Sequence, residues 1–137
     1  YERGGEFGGL GWPTRFPPGA LALRLKGDGP RNTTIAVVAT DATLDKAACK
    51  RLAVAAHDGL ARALRPAHLP MDGDTVFAAA TAARPAPDPR GFAELCALAA
   101  DALARAIARG VYEAKALPFA GALPAWRDKF GGRHAAP

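Results

Sequence analysis

Three short stretches of this sequence carry side chains able to do chemistry. The first is Asn32-Thr33, where the loop Gly27-Asp28-Gly29-Pro30-Arg31 gives way to a β-branched apolar run. A hydroxyl at that junction is anchored by a strand and reachable from a loop. The second is Asp72-Gly73-Asp74-Thr75, at the head of another short apolar run. Two carboxylates two residues apart, bent by a glycine, can point to the same end of a sheet. The third is the histidine pair His57 and His68, with His68 in the loop before the carboxylates. Carboxylates beside a threonine hold and polarise an amine or a hydroxyl, which is how a weak oxygen nucleophile is activated. Each stretch also has a plainer reading: a threonine opening a strand, a solvated turn, histidines that hydrogen-bond structurally. Convergence at one end of a sheet is what would make them a site, and His68 is the better pocket candidate of the two histidines.

The elements that must position these residues follow from local pattern. Thr33-Thr34-Ile35-Ala36-Val37-Val38-Ala39-Thr40 is β-branched and apolar without strict alternation, which predicts a strand over 33–40 buried on both faces. Thr43 is a plausible N-cap for a helix over about 44–64, with Leu44, Ala48, Leu52, Ala55, Gly59, Leu60 and Ala63 at helical spacing and Pro66 as its stop. Residues 75–81 read as a second strand. Asp88 caps a second helix with Pro89 at its first position, and Gly110 sits where a left-handed C-cap belongs. The order is therefore β-α-β-α. Glycine and proline punctuate residues 1–31, where only Ala20 to Leu25 has the pattern of a short strand, and they break the tail from Leu117 onward. Trp12, Trp126 and Phe130 read as docking contacts for these loose ends, and His134 as an inert tail residue. Two strands make a marginal sheet alone, so partner strands are expected from upstream sequence, a partner chain, or both.

Composition bounds the rest. With 137 residues, 50% of them hydrophobic, the chain suffices for one domain and is not disordered throughout. Aromatic residues reach only 7% and alanine about a quarter, so the core is thin for the length. No run approaches the ~20 apolar residues of a membrane helix, and no signal peptide opens the chain, which together suggest a cytoplasmic protein without a membrane partner. A start at Tyr1 rather than Met suggests a processed or truncated piece. The net charge of +5 invites a nucleic-acid reading. Yet the cations are scattered and not interleaved with aromatics, which argues against it. Cys49 and Cys96 are predicted to be reduced packing residues, since neither has a second Cys or a His at ligand spacing.

Taken together, the blocks 32–42, 56–63 (Ala-His-Asp-Gly-Leu-Ala-Arg-Ala), 65–68 (Arg-Pro-Ala-His) and 72–78 (Asp-Gly-Asp-Thr-Val-Phe-Ala) resemble the self-cleaving L-aminopeptidase/D-esterase family over about 32–110. The Asn32-Thr33 junction is more similar to the branch that hydrolyses nylon oligomers (6-aminohexanoate amides) than to the Gly-Ser junction of the aminopeptidases. One departure is Ala80-Thr81-Ala82-Ala83, where the family usually carries a glycine soon after the second strand.

The resemblance implies an α/β fold, part of an α-β-β-α sandwich similar in layout to N-terminal-nucleophile hydrolases. It implies a precursor that cuts itself between Asn32 and Thr33. Residues 1–32 then end the larger product, and residues 33–137 form the smaller one with Thr33 as its N-terminal nucleophile. Asp72 and Asp74 match the family's acidic pair and are expected to orient the Thr33 amine and support proton movement. No metal or organic cofactor is required. The expected partners are the larger product, which in the nylon-oligomer branch supplies an active-site Lys and Asn, further copies in an oligomer of such pairs, and a small amide or peptide substrate. The alternatives are an aminopeptidase acting on L-amino-acid amides and short peptides, and a non-catalytic α/β module or inactive fragment.

Overall fold

Both expected strands form, the first shifted to begin at Ile35 rather than Thr33 and the second extended to Arg84, and a helix joins them into a crossover. The computed structural model describes residues 2, 4–9, 11, 15–22 and 33–131. Its elements in order are β1 (Ile35–Ala42), α1 (Lys46–Ala63), β2 (Thr75–Arg84), α2 (Pro89–Glu113) and a short α3 (Trp126–Phe130). The two strands pair in parallel, as a strand–helix–strand unit requires. The register runs from Ile35 opposite Thr75 to Thr40 opposite Ala80, then slips so that Ala42 faces Arg84. Ala82, at φ 57°, lies within that slip and supplies the local bend.

The described residues group into two units that divide within α2, one spanning Ala22–Ala104 and the other combining Tyr1–Leu21 with Arg105–Pro137. In the first, α1 packs on β2. The core is built from Val38, Leu52, Ala56, Leu60, Val76, Ala99, Ala100, Leu103 and Ala104. Small side chains let α1 and α2 approach closely. A Cβ on Gly59 would stand 2.9 Å from the Leu103 Cβ and would run into the Ala100 carbonyl. Arg62 and Asp101 form an ion pair along the same helix seam.

Burial on both faces of the strand is not what the described residues show. Val38 and Val76 are 9% and 7% exposed, whereas Ile35, Val37 and Phe77 on the opposite face are 70%, 64% and 56% exposed. The side chains alternate with the pleat, so that one face is buried and the other exposed.

Several local expectations change. Asp45, not Thr43, caps α1: its Oδ1 accepts the Ala48 N–H at 2.7 Å. The Thr43 hydroxyl is already committed, donating to the Arg84 carbonyl at 2.7 Å. Asp88 does open α2, its Oδ1 accepting the Gly91 N–H at 2.7 Å. Gly110 does not end that helix, which continues to Glu113, because Tyr112 in the extra turn packs against Phe7 and Trp126. Residues 18–21 form a turn rather than the start of a strand, and residues 23–25 lie outside the described residues. Both cysteines are free thiols.

In the second unit the aromatic residues cluster. Phe7 and Tyr112 rings lie 5.8 Å apart, Tyr112 and Trp126 5.4 Å, and Trp126 and Phe130 5.3 Å. Trp126 and Phe130 thus pack as expected of them, while Trp12 and His134 lie outside the described residues. Asp128 accepts the Ala125 N–H at 2.9 Å and so starts α3, a signal the proline- and glycine-broken tail hides.

Two glycines give opposite expectations. Gly59→Ala forces a methyl into backbone and should destabilise the protein by about 1–3 kcal/mol. Gly110→Ala, in the last turn of α2 with helical backbone and nothing within 4 Å, should stabilise it by roughly 0.5–1 kcal/mol. Denaturant unfolding of the two variants checks both signs.

Candidate active site

Parallel strands whose first residues are paired must begin at one edge of the sheet. Here that edge gathers the residues before Ile35 and before Thr75. The Thr75 N–H donates to the Thr34 carbonyl at 2.9 Å. The Thr34 N–H donates to Asp74 Oδ1 at 2.8 Å. Thr33 lies directly over Gly73: a Cβ there would stand 2.7 Å from Thr33 Oγ1 and 3.0 Å from its Cγ2. The glycine between the carboxylates is therefore needed for space, since its φ is not in the left-handed region.

The loop between α1 and β2 folds around the carboxylates. Asp72 and Leu69 exchange two hydrogen bonds, Asp72 N–H to the Leu69 carbonyl at 2.9 Å and Leu69 N–H to Asp72 Oδ2 at 3.0 Å. His68 and Met71 take left-handed backbone, φ 38° and 75°, which non-glycine residues adopt only when their surroundings hold them there. The His68 N–H donates to Asp74 Oδ2 at 3.1 Å, and its ring meets His57 of α1 edge-on at 5.4 Å. Asp74 thus ties the head of β1 to the loop, one oxygen to each. Partial burial pushes its carboxyl up, but the Thr34 and His68 N–H groups, the Thr34 hydroxyl and the charge of His68 outweigh that and leave it below the ordinary carboxylate range.

Thr33, Thr34, Asp72 and Asp74 line one open cleft of about 220 Å³ together with Leu64, Arg65 and Pro66. The structure therefore brings Thr33, Asp72 and Asp74 together. His68 reaches this edge through its backbone, and Asn32 lies outside the described residues. Three participants escape a reading of side-chain chemistry alone: Gly73, which makes room for Thr33, Thr34, which holds Asp74 by its backbone, and Arg65, a cation on the cleft wall. The spacing of Arg65 and Pro66 just after α1 was the only sequence signal for that wall. Among the described residues no group of three or more His, Cys, Asp or Glu side chains is arranged to hold a metal, and no helix is long and apolar enough to cross a membrane.

The lowered Asp74 pKa fixes a sign. Its ionised form is favoured in the fold, so the stability it contributes is fully present above the unfolded value near 3.9. That contribution disappears as pH falls through the lower folded value. The stability difference between wild type and Asp74→Asn should therefore be constant from about pH 5 to 7 and shrink below about pH 4, as read by denaturant unfolding across pH.

Residues 7–122 match peptidase family S58. A protein described as an uncharacterized aminopeptidase in Mycobacterium tuberculosis is 52% identical over 114 residues, covering 75% of this chain and 32% of the relative. Its counterpart in Mycobacterium bovis matches to the same extent. One in Mycobacterium leprae is 52% identical over 97 residues, covering 63% of this chain and 27% of the relative. The chain spans about a third of the length of these curated relatives. With a match across most of its length, the chain belongs to peptidase family S58.

Proposed function

We propose that this chain carries the nucleophile of a self-cleaving amide hydrolase, and that scission between Asn32 and Thr33 activates it. The observation that carries this reading is the seating of Thr33 on Gly73, in one cleft with Asp72 and Asp74. In the precursor the Thr33 hydroxyl attacks the Asn32 carbonyl carbon. The C–N bond breaks, the nitrogen takes up a proton, and the acyl group now sits on the Thr33 oxygen as an ester. Water opens the ester, leaving the Asn32 carboxylate and a Thr33 with a free amine.

That amine changes what the site can do. A terminal amine has a reference pKa of roughly 7.7–8.0, so near neutral pH a useful fraction is unprotonated and can take the hydroxyl proton. The hydroxyl oxygen then attacks a substrate amide carbonyl. The amine returns the proton to the leaving nitrogen, and water hydrolyses the acyl-enzyme. Both oxygens of Asp74 are engaged by backbone N–H groups, so we assign it to positioning. Asp72 has one oxygen on the Leu69 N–H and is assigned to the Thr33 amine.

The relatives' description as aminopeptidases supports L-amino-acid amides and short peptides as substrates. The Asn32-Thr33 junction favours a second reading, 6-aminohexanoate-type oligomers cut without need of a free substrate amine. In both, the larger product completes the site and the exposed face of Ile35, Val37 and Phe77 is covered by a second sheet in an α-β-β-α sandwich, within an oligomer of such pairs.

The full-length polypeptide should run as two pieces on a denaturing gel, the smaller beginning at Thr33 by N-terminal sequencing. Thr33→Ala should remain uncut and inactive, and Thr33→Ser should still cut. A Thr33→Ala protein that is cut or turns over normally would refute the proposal, and an uncut wild type without hydrolase activity favours the non-catalytic module. Gly73→Ala should slow both cleavage and turnover by about 100-fold with the hydroxyl intact, because it displaces the nucleophile by a fraction of an ångström or more. Capped and uncapped oligomers separate the two substrate readings: only the aminopeptidase loses activity when the substrate amine is blocked.

A further inference from the structure

The N-terminal segment lies on the far side of the proposed cut from the rest of the chain, yet it packs against the chain's C-terminal third. Glu6 grips Arg105 of α2 with both carboxylate oxygens, at 2.7 Å from Nε and 2.6 Å from Nη2. This fork-to-fork pairing fixes orientation as well as distance. The Phe7 ring packs against Tyr112 at 5.8 Å, tilted by 49°. Next to it Gly8, at φ 105°, presses so closely on Trp126 that a Cβ would stand 2.5 Å from the indole Cη2. Only glycine offers both that backbone and that space.

Each side of this contact is shaped by its own residues. On the N-terminal side, Glu2 Oε2 accepts the Phe7 N–H at 2.7 Å and the Gly9 N–H at 3.4 Å, curling the segment into a hook. On the other side, Arg127 lies over the Tyr112 ring at 4.2 Å and pairs with Glu113 at 2.6 Å, while Trp126 stacks between Tyr112 and Phe130. Two preshaped surfaces lose little conformational entropy on meeting.

We propose that residues 2–9 are a clasp by which the end of the larger product stays bound to α2 and α3 of the smaller one after the chain is cut. The inference rests on scission before Thr33, as proposed above. Once that bond breaks, residues 1–32 no longer hold the two products at a high effective concentration, and non-covalent contacts alone must retain whatever the larger product adds to the site.

The test uses the full-length polypeptide after self-cleavage, with the two products followed by size-exclusion chromatography over serial dilution. The wild-type products should co-elute. Arg105→Glu, which sets two carboxylates against each other, should shift the dilution at which they separate by roughly tenfold or more. Trp126→Ala should shift it in the same direction. Glu6→Arg combined with Arg105→Glu should restore much of the retention, an outcome that loss of folding could not give. Unchanged co-elution in Arg105→Glu and Trp126→Ala, or failure of the swapped pair to recover, would overturn the clasp. If the polypeptide does not cut itself, the scission reading fails, and a site-specific protease sequence inserted between Asn32 and Thr33 allows the same comparison to decide the clasp on its own.

Discussion

The geometry of the candidate site hangs on the pairing of two parallel strands from their first residues. Thr75 donates its N–H to the Thr34 carbonyl, and Thr34 donates its own to Asp74. These two bonds bring residues 40 and 41 positions apart onto one edge. A slip of one residue in such a ladder would turn every side chain to the opposite face, taking Thr33 off Gly73 and emptying the cleft of its hydroxyl. The helical crossover of α1 makes the parallel register possible, and the alanine- and glycine-lined seam with α2 keeps α1 in place. A packing detail at Gly59 therefore bears on the position of a hydroxyl at the strand edge.

Much of this was legible in the sequence, and the reasons differ element by element. The two strands stand out because β-branched runs are rare in so alanine-rich a chain. The start of α2 follows from Asp88-Pro89, where a capping carboxylate and a residue without an N–H suit the first turn. Thr33, Asp72 and Asp74 stood out as candidates because both groups head a strand, and the family resemblance rather than local pattern assigned them roles. What was not legible depends on contacts distant in sequence. Thr43 has the right side chain for a cap but spends it on Arg84 across the sheet. Gly110 has the residue type for a stop, but α2 runs on to Glu113, and Tyr112 in that extra turn packs against Phe7 and Trp126, far along the chain. Arg65 enters the cleft through the path of a loop, which carries no periodic signal.

The small core and the uneven sheet have one origin. Alanine permits close helix packing but removes little apolar surface from water. Leu52 and Leu60 are the largest fully buried side chains, while Ile35, Val37 and Phe77, which would add more, stand on the uncovered face. A two-stranded sheet is marginal by itself. The sequence thus leaves some of its largest apolar strand side chains on an uncovered face, and the relatives are about three times as long as the matched stretch. Under the proposed function a covering layer would bring the remaining catalytic groups, so that completing the fold and completing the site are one event.

The two aspartates, although only one residue separates them, are not equivalent. Asp74 has an N–H on each oxygen, from Thr34 and from His68. A carboxylate so engaged is a weak base, and its pKa is depressed, which suits a fixed negative charge better than a group that must pick up and release protons. Asp72 has one oxygen on Leu69 and, among the described residues, no donor on the other. It is the carboxylate with an acceptor to spare for a newly formed ammonium group. The glycine between them allows both to share the cleft with Thr33 while leaving the hydroxyl room. Within the proposed mechanism, positioning then falls to Asp74, amine orientation to Asp72, and proton acceptance to the Thr33 nitrogen itself, the one group of the three whose reference pKa lies near neutral pH.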